Sequence, residues 1–330
     1  MDIKTKYLGM ELKSPLVISA SPLSEKIENL RKMEDAGAGA IVLHSLFQEQ
    51  VEAEQKELNH LISSTEFVSA EAMSYFPEPE NYRLGPEEYL EHIRKAKNAI
   101  NIPVIASLNG SSTGGWVDYA EIMQDAGADA LELNLYDIPT SFGTSGADIE
   151  RRYLDVVKAV RSQLRIPLAI KISPYFSNMA NMALRFQEAG ADSLVMFNRF
   201  YQPDINLEAM EVEPKVALSH TGISRLSMRW IAILKGRVNL DFAATGGIHK
   251  GTDVIKMLLV GANAVMITSA ILKNGIEYLK TIEKEMVDWL TSNEYKSVQQ
   301  MIGSMSQMKT PNPGAFERAQ YMKALINYVY

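Results

Sequence analysis

Cysteine is absent from this chain of 330 residues. Disulfide bonds, cysteine-ligated zinc, iron–sulfur clusters and thiolate catalysis are therefore excluded. The histidines, at positions 44, 60, 92, 220 and 249, show no HExxH or other metal-ligand spacing, so we expect no metal site. Any chemistry must use oxygen and nitrogen groups or a bound cofactor.

Clustered positive charge and long apolar runs are also lacking. Lys and Arg number 33 against 40 Asp and Glu, which gives a formal net charge of -7. Nucleic acids and anionic membranes attract clustered Lys and Arg, so we expect neither as a partner and predict a small-molecule substrate. No run of about 18 apolar residues occurs, and the charged start MDIKTK does not resemble a secretory signal. We therefore expect a cytoplasmic protein.

A ten-residue pattern recurs four times along the chain. The copies are AGAGAIVLHS (36–45), AGADALELNL (126–135), AGADSLVMFN (189–198) and VGANAVMITS (260–269). In each, a glycine suited to closing a helix precedes a short apolar run typical of a strand buried on both faces. Four further apolar runs lie between these copies: SPLVISAS (14–21), IPVIASLN (102–109), IPLAIKIS (166–173) and VNLDFAATGG (238–247).

Helical patterns fill the gaps, so eight strands alternate with helices. This order predicts an α/β protein with a single (β/α)8 TIM barrel over 1–330, and an open doubly wound sheet is the rival fold. We favour the barrel because the two alternating classes of strand entry suit a closed ring. No GxGxxG follows the first strand and no GxxxxGK[ST] occurs, which removes the usual reasons to choose the open sheet. Three additions are expected: an N-terminal hairpin with Gly9 at its turn, a long insertion or lid after the second strand at 46–85, and a helical tail at 276–330.

Active sites of such barrels lie at the carboxyl ends of the strands, and the strand ends of this sequence are polar. Lys171 is the most informative residue, since the alternation in LAIKIS points it into the barrel, where an ammonium needs an anionic partner. That partner is either Glu132 on the neighbouring strand or an anionic ligand. Glycines in ATGGIHKGTD (244–253), at the seventh strand, suit a phosphate cradle.

Five segments, in order, resemble the dihydroorotate dehydrogenase family of FMN-binding barrels, and most closely its soluble class. PLVISASP is similar to the family's N/S-A-S-G opening, LELNL to ELNLSCPN, AIKISPYF to VKLPPYF and TGGIHKGTD to GTGGIxxGxD, and ITSAI matches the phosphate-binding end. The resemblance spans roughly residues 3–285. It implies an FMN-dependent oxidoreductase of pyrimidine biosynthesis, acting on CH–CH donors, and a homodimer.

The resemblance also implies roles for individual residues, at matching positions only. Lys171 is the expected catalytic cation near the flavin, where it would stabilise the negative charge of the reduced ring. The expected cofactor-binding residues are Ala20, Ser21, Ser45, Asn109, Asn134, Lys171, Asn198, Ser219, Gly246, Gly247, Thr268 and Ser269. Asn134, Asn198, Glu71 and His44 are the expected substrate-binding residues.

The sequence departs from the family in the half of the site that binds orotate. The soluble class has a catalytic cysteine, and the membrane-linked class a serine, where this chain has Asp137. The lysine that ends the family's second strand is His44, and its asparagine-rich orotate segment reads AEAMSYF (70–76). Tyr136, Asp137 and His44 are therefore candidates for acid–base chemistry, and loop structure or flavin packing is their alternative role.

These observations predict transfer of a hydride from a small substrate to FMN, with dihydroorotate as one candidate substrate. Two readings from other classes stay open. One is a flavin-free barrel in which Lys171 forms a Schiff base, as in aldolases. The other is a non-catalytic flavin-binding protein.

Overall fold

The computed structural model describes residues 1–47, 86–110, 116–199, 202–213, 217–318 and 320–327. The expected lid at 46–85 lies outside these ranges except for its first two residues, which end a strand. Glu71 also lies outside them, so its predicted role in substrate binding stays a prediction.

Eight parallel strands close into a barrel in the order β11-β12-β3-β4-β5-β6-β7-β8. The pairing of β8 with β11 completes the ring, which confirms the predicted (β/α)8 fold and excludes the open sheet. The barrel strands are β3 (Leu16–Ile18), β4 (Ala40–Phe47), β5 (Val104–Gly110), β6 (Ala130–Leu135), β7 (Leu168–Ile172), β8 (Ser193–Met196), β11 (Asp241–Thr245) and β12 (Ala264–Ile267).

Helices surround the barrel. They are α1 (Ile27–Asp35), α2 (Pro86–Ala99), α3 (Trp116–Asp125), α4 (Gly146–Gln163), α5 (Met179–Glu188), α6 (Ser224–Leu234), α7 (Gly251–Val260), α8 (Ser269–Asn274), α9 (Tyr278–Ser292) and α10 (Gln320–Ile326). Within the part of the chain described, none of them is long and apolar enough to cross a membrane.

The glycine of the repeated sequence pattern has the same structural role in each copy. It closes a helix at positive φ, as at Gly127 with φ of 100°. In the last three copies the residue two positions on, Asp or Asn, accepts a hydrogen bond from the backbone N–H at the start of a neighbouring strand. The bonds run from Val104 to Asp129 (2.7 Å), from Leu168 to Asp192 (2.8 Å) and from Phe242 to Asn263 (3.2 Å). The pattern therefore fixes the register of successive barrel strands.

A short hairpin of β1 (Thr5–Tyr7) and β2 (Met10–Leu12) packs against the barrel interior, as predicted, with Gly9 at its turn. Tyr7 and Leu12 are fully buried in one cluster with small inward-facing barrel residues such as Ala130 and Ala169. The hydroxyl of Tyr7 lies 3.2 Å from Ser193 Oγ. This apolar cluster fills the lower barrel, so any ligand site must lie above it.

Two antiparallel strands, β9 (Asp204–Asn206) and β10 (Glu211–Glu213), form an exposed hairpin after β8. The tail contains α9 and α10, and turns and two short 3-10 helices, Val298–Gln300 and Pro313–Phe316, separate these two helices. Met301 in this tail is fully buried in the core.

Candidate active site

A cavity of about 500 Å³ opens at the carboxyl ends of the barrel strands. It is bordered by the segments that follow β3, β7, β8, β11 and β12. The cavity therefore has the position expected for a TIM-barrel active site. The predicted site residues that line it are Ala20, Ser21, Lys171, Asn198, Ser219, Gly246, Gly247, Thr268 and Ser269.

Three other predicted cofactor residues, Ser45, Asn109 and Asn134, are not part of this lining. They lie on adjacent strands, with Ser45 Oγ 2.8 Å from Ser107 Oγ and Asn109 paired with Asn134 in the ladder. Asn109 and Asn134 are both buried. Their predicted roles stay predictions.

Lys171 points into the barrel, as the alternation predicts, and reaches the cavity wall. Its ammonium donates to Glu132 Oε1 at 3.0 Å and to Ser19 Oγ at 3.3 Å. Glu132 is fully buried and Lys171 is 8 % exposed. The lysine therefore has a protein counter-ion and also faces the space where a ligand would bind.

Ser19 is a cavity residue that the sequence analysis did not select. It follows β3 directly and lines the cavity beside Ala20. Alternation from Val17, which faces the barrel interior, places Ser19 on the same face as Lys171. The two-residue spacing from Val17 is the sequence feature that could have predicted Ser19 as an inward-facing residue.

Two buried polar atoms near this end of the barrel suit a polar ligand. Ser21 Oγ and Asn134 Oδ1 have no hydrogen-bond partner among the residues described. Buried polar atoms in folded proteins are normally paired, since leaving one unpaired costs roughly 1–3 kcal/mol. A flavin ring carries carbonyl and N–H groups of the kind that such atoms bind.

The glycines after β11 shape a close turn against the segment 217–224. Gly246 and Gly247 have φ of 88° and 77°, in the left-handed region. A Cβ at Gly247 would lie 2.7 Å from His220 O and 2.7 Å from Ser224 N, both backbone atoms. Only glycine fits at this position, which keeps the backbone of the turn close to the cavity.

Ser219 connects three of the segments that form this end of the cavity. Its Oγ accepts a bond from Gly247 N (3.1 Å), its N–H donates to Ser269 Oγ (3.1 Å), and its carbonyl lies 2.8 Å from His249 Nε2. The loops after β11 and β12 are thus held to one residue. The predicted phosphate-binding role of these loops stays a prediction.

His44 is turned away from the barrel interior by a bulge in β4. The register between β4 and β5 shifts between Val42 and Ser45, so Ser45 faces inward in place of His44. The His44 ring instead contacts the rings of Tyr89 and His92 on α2, with centroid distances of 5.0 and 5.3 Å. The sequence analysis missed this bulge, and His44 is not part of the cavity lining described.

The imidazole of His44 is neutral in this environment. Burial, with a smaller contribution from the charge of His92, lowers the pKa of His44 to about 4. Burial also lowers the pKa of His92, whose Nε2 lies 2.8 Å from Ser24 O. Neither ring nitrogen of His44 has a partner among the described residues. The geometry favours a packing role, and its predicted role in substrate binding stays a prediction.

Asp137 lies in the segment after β6, beside a second and smaller cavity of about 310 Å³. Its carboxylate accepts from the guanidinium of Arg152 on α4. Tyr175 lines both cavities, so the Asp137 cavity adjoins the larger one. Tyr136 precedes Asp137 and is half-buried. The structure brings Asp137 near the site but outside the lining of the main cavity.

The model of the family described as dihydroorotate dehydrogenase matches residues 81–290. The chain belongs to the dihydroorotate dehydrogenase family. The matched range contains Lys171, Ser219, the Gly246–Gly247 turn and Ser269. As a member of this family, the protein is an oxidoreductase of the dihydroorotate dehydrogenase type that acts on CH–CH donors.

Relatives of known annotation cover almost the whole chain. A dihydroorotate dehydrogenase B (NAD(+)) catalytic subunit of Methanocaldococcus jannaschii is 27% identical over 91% of this chain and 97% of its own length. That of Pyrococcus abyssi is 28% identical over 91% and 98%. The NAD-dependent dihydropyrimidine dehydrogenase subunit PreA of Escherichia coli is 25% identical over 92% of this chain and 76% of its own length. Relatives named for two different substrates, dihydroorotate and dihydropyrimidine, are thus similar to this chain.

Proposed function

We propose that this protein is an FMN-dependent dehydrogenase that takes a hydride from a small substrate, with dihydroorotate as the first candidate. One observation carries the proposal. A buried lysine and a glycine turn that is hydrogen-bonded to Ser219 lie at two parts of the wall of the same cavity. A cation and a cradle of backbone N–H groups are what a flavin ring and a phosphate require. FMN contains both groups in one molecule.

The chain's own residues have distinct tasks in this proposal. The phosphate would be held by Gly246, Gly247, Thr268 and Ser269. Ser21 would bond the ring through its hydroxyl, which has no hydrogen-bond partner among the described residues. Lys171 supplies positive charge where negative charge would develop. When bound, FMN accepts the hydride that no side chain of this protein can accept.

The substrate half of the site is proposed with Asp137 as the proton acceptor. A carboxylate positioned by Arg152 can remove a proton from carbon if it reaches the substrate. In the conformation described, the guanidinium of Arg152 donates a hydrogen bond to one carboxylate oxygen of Asp137. Asn198, which lines the cavity and donates from Nδ2 to Lys171 O at 3.4 Å, would contact the substrate or the ring.

The Schiff-base alternative has less support from the geometry. A lysine nucleophile must be free to attack a carbonyl, whereas Lys171 Nζ is ion-paired at 3.0 Å with the fully buried carboxylate of Glu132. The alternative of a non-catalytic flavin-binding protein predicts a bound flavin that no donor reduces.

We also propose that the protein acts in the cytoplasm and, from the resemblance alone, that it is a homodimer of pyrimidine biosynthesis. Its formal net charge of -7 supports the proposal that it has no nucleic-acid or membrane partners. Size-exclusion chromatography with light scattering would test the dimer. A mass near 36.8 kDa would contradict it.

The decisive experiment is the visible absorption spectrum of the purified protein, followed anaerobically as dihydroorotate is added. Bands at about 370 and 450 nm are expected from bound oxidised flavin, and bleaching would identify dihydroorotate as a substrate. Bound flavin without bleaching would leave the cofactor proposal standing and reject this substrate. A colourless protein that cannot take up FMN would reject the flavoprotein proposal, and borohydride trapping on Lys171 would then test the Schiff base.

A further inference from the structure

Glu132 is a fully buried carboxylate in the barrel interior. In the sheet register it is opposite Ala169, one inward position deeper than Lys171, and it is not part of the cavity lining. Its Oε1 accepts from Lys171 Nζ at 3.0 Å. A ligand in the cavity would therefore contact the lysine but not the carboxylate beneath it.

The second carboxylate oxygen of Glu132, Oε2, has no hydrogen-bond partner among the described residues. The surrounding groups are hydroxyls and aromatic rings: Ser107 is opposite Glu132 on β5, and the charge of Glu132 acts on the buried phenols of Tyr7 and Tyr89. A buried charge with one oxygen unpaired is costly. A glutamine could accept the same hydrogen bond from Lys171, so the bond alone does not account for a carboxylate here; what the carboxylate adds is a negative charge beside the ammonium.

We propose that Glu132 is a positioning residue that holds the ammonium of Lys171 at the cavity wall and offsets part of its positive charge, thereby setting how strongly the site stabilises an anionic flavin ring. The inference rests on the proposed function. Its physical basis is the low dielectric of the barrel interior, where a carboxylate 3.0 Å from the ammonium weakens the field that the ammonium exerts on a ligand. Ser19 Oγ, at 3.3 Å, supplies a neutral second contact that fixes the position of Nζ.

The test is Glu132→Gln, which keeps an acceptor for Nζ but removes the charge. In the FMN-loaded protein, sulfite is the probe, because it bleaches oxidised flavin by forming a product whose ring is anionic. We expect sulfite to bind at least tenfold more tightly to the variant. A tenfold change in a two-electron equilibrium corresponds to a midpoint potential about 30 mV more positive.

The control removes one carboxylate charge elsewhere near the same strand. Asp129 directly precedes β6 and pairs with Lys97 at 2.6 Å, away from the cavity. Asp129→Asn should leave the sulfite affinity within about twofold of the wild type. If Glu132→Gln does not fold, Glu132→Met, an uncharged side chain of similar length, carries the same expectation. Glu132→Asp retains the charge and should stay within about threefold of the wild type.

A measurement on the FMN-free protein keeps this inference separate from the proposed function. Acetic anhydride modification followed by peptide mapping gives the acylation rate of Lys171 alone. That rate should rise at least threefold in Glu132→Gln, because Nζ is no longer held in place by an ion pair with a buried carboxylate. Failure of every variant and the wild type to bind FMN would reject the proposed function and leave this test intact. Unchanged sulfite affinity together with unchanged acylation would overturn the role of Glu132.

Discussion

Asp137 and Arg152 are ion-paired across fifteen residues of sequence, the aspartate in the loop after β6 and the arginine on the second turn of α4. The capping box of Ser145 and Asp148 fixes the start of that helix. The arginine is therefore held on a rigid element and the aspartate on a loop. This relationship makes Arg152 the residue that positions the candidate base.

If Asp137 is the base, Asp137→Asn should slow the reduction of bound flavin by its substrate at least tenfold, because an amide cannot accept the proton. Anaerobic stopped-flow absorbance measures this rate. Glu91→Gln removes an exposed arginine-paired carboxylate on α2, away from the site, and should leave the rate within twofold. An unchanged rate in Asp137→Asn would remove Asp137 from the mechanism.

His44 should make the stability of the protein depend on pH. Its pKa is about 4 in the folded state against 6.5 for the free side chain, so the unfolded chain binds the proton first as the pH falls. The stabilisation is complete above pH 6.5 and is lost progressively towards pH 4. Between pH 7 and pH 5 the free energy of unfolding should fall by about 2 kcal/mol through this group.

Urea unfolding of the wild type and of His44→Phe at both pH values measures that contribution. The variant should lose most of the difference, because a phenyl ring can occupy the same contacts with Tyr89 and His92 without binding a proton. Substitution of the exposed His220 by Gln serves as the control. An equal pH response in wild type and His44→Phe would show that His44 is not buried as described.

Gly247→Ala should destabilise the protein and weaken FMN binding. The methyl group would lie 2.7 Å from two backbone atoms that cannot move independently. We expect a loss of about 2–3 kcal/mol in unfolding free energy and at least a tenfold rise in the Kd for FMN. Gly9→Ala separates the steric clash from the strain of a positive φ. Gly9 has a similar φ of 73°, but nothing lies within 4 Å of the added carbon. Gly9→Ala should cost about 1 kcal/mol and leave FMN binding unchanged.

Ser219→Ala should loosen the cofactor with little effect on the fold. The variant loses only the acceptor for Gly247 N, while the two backbone bonds of residue 219 remain. One neutral hydrogen bond contributes about 1 kcal/mol, which predicts a roughly fivefold rise in the Kd for FMN by fluorescence titration. Ser162→Ala, at an exposed helical serine, is the control. Equal FMN affinity in both variants would contradict a role for the Ser219 hydroxyl.

The barrel was predictable because its signal is repeated. The strand-and-glycine pattern occurs four times, and each copy has the same local cause, so errors at single residues do not alter the fold. The inward orientation of Lys171 was predictable for a similar reason, because side chains along one strand alternate between the two faces of the sheet. The neighbouring position of Glu132 follows from the same rule.

The positions of His44 and Asp137 could not be predicted in the same way. A bulge shifts the alternation of β4 by one residue, and nothing in AIVLHS marks where the extra residue enters. The partner of Asp137 lies on the next helix, and pairing depends on how the intervening loop folds. Both cases depend on tertiary contacts that no local pattern encodes.

The bonds of Ser219 have a consequence for the thermodynamics of ligand binding. They connect the loops of β11 and β12 through the protein's own hydrogen bonds, so folding itself restricts these backbones. An arriving phosphate would lose little conformational entropy to loop ordering. Because these loops are preorganised, we expect even a small anion to bind favourably. The heat capacity change of that binding should be close to the value for binding to a rigid protein.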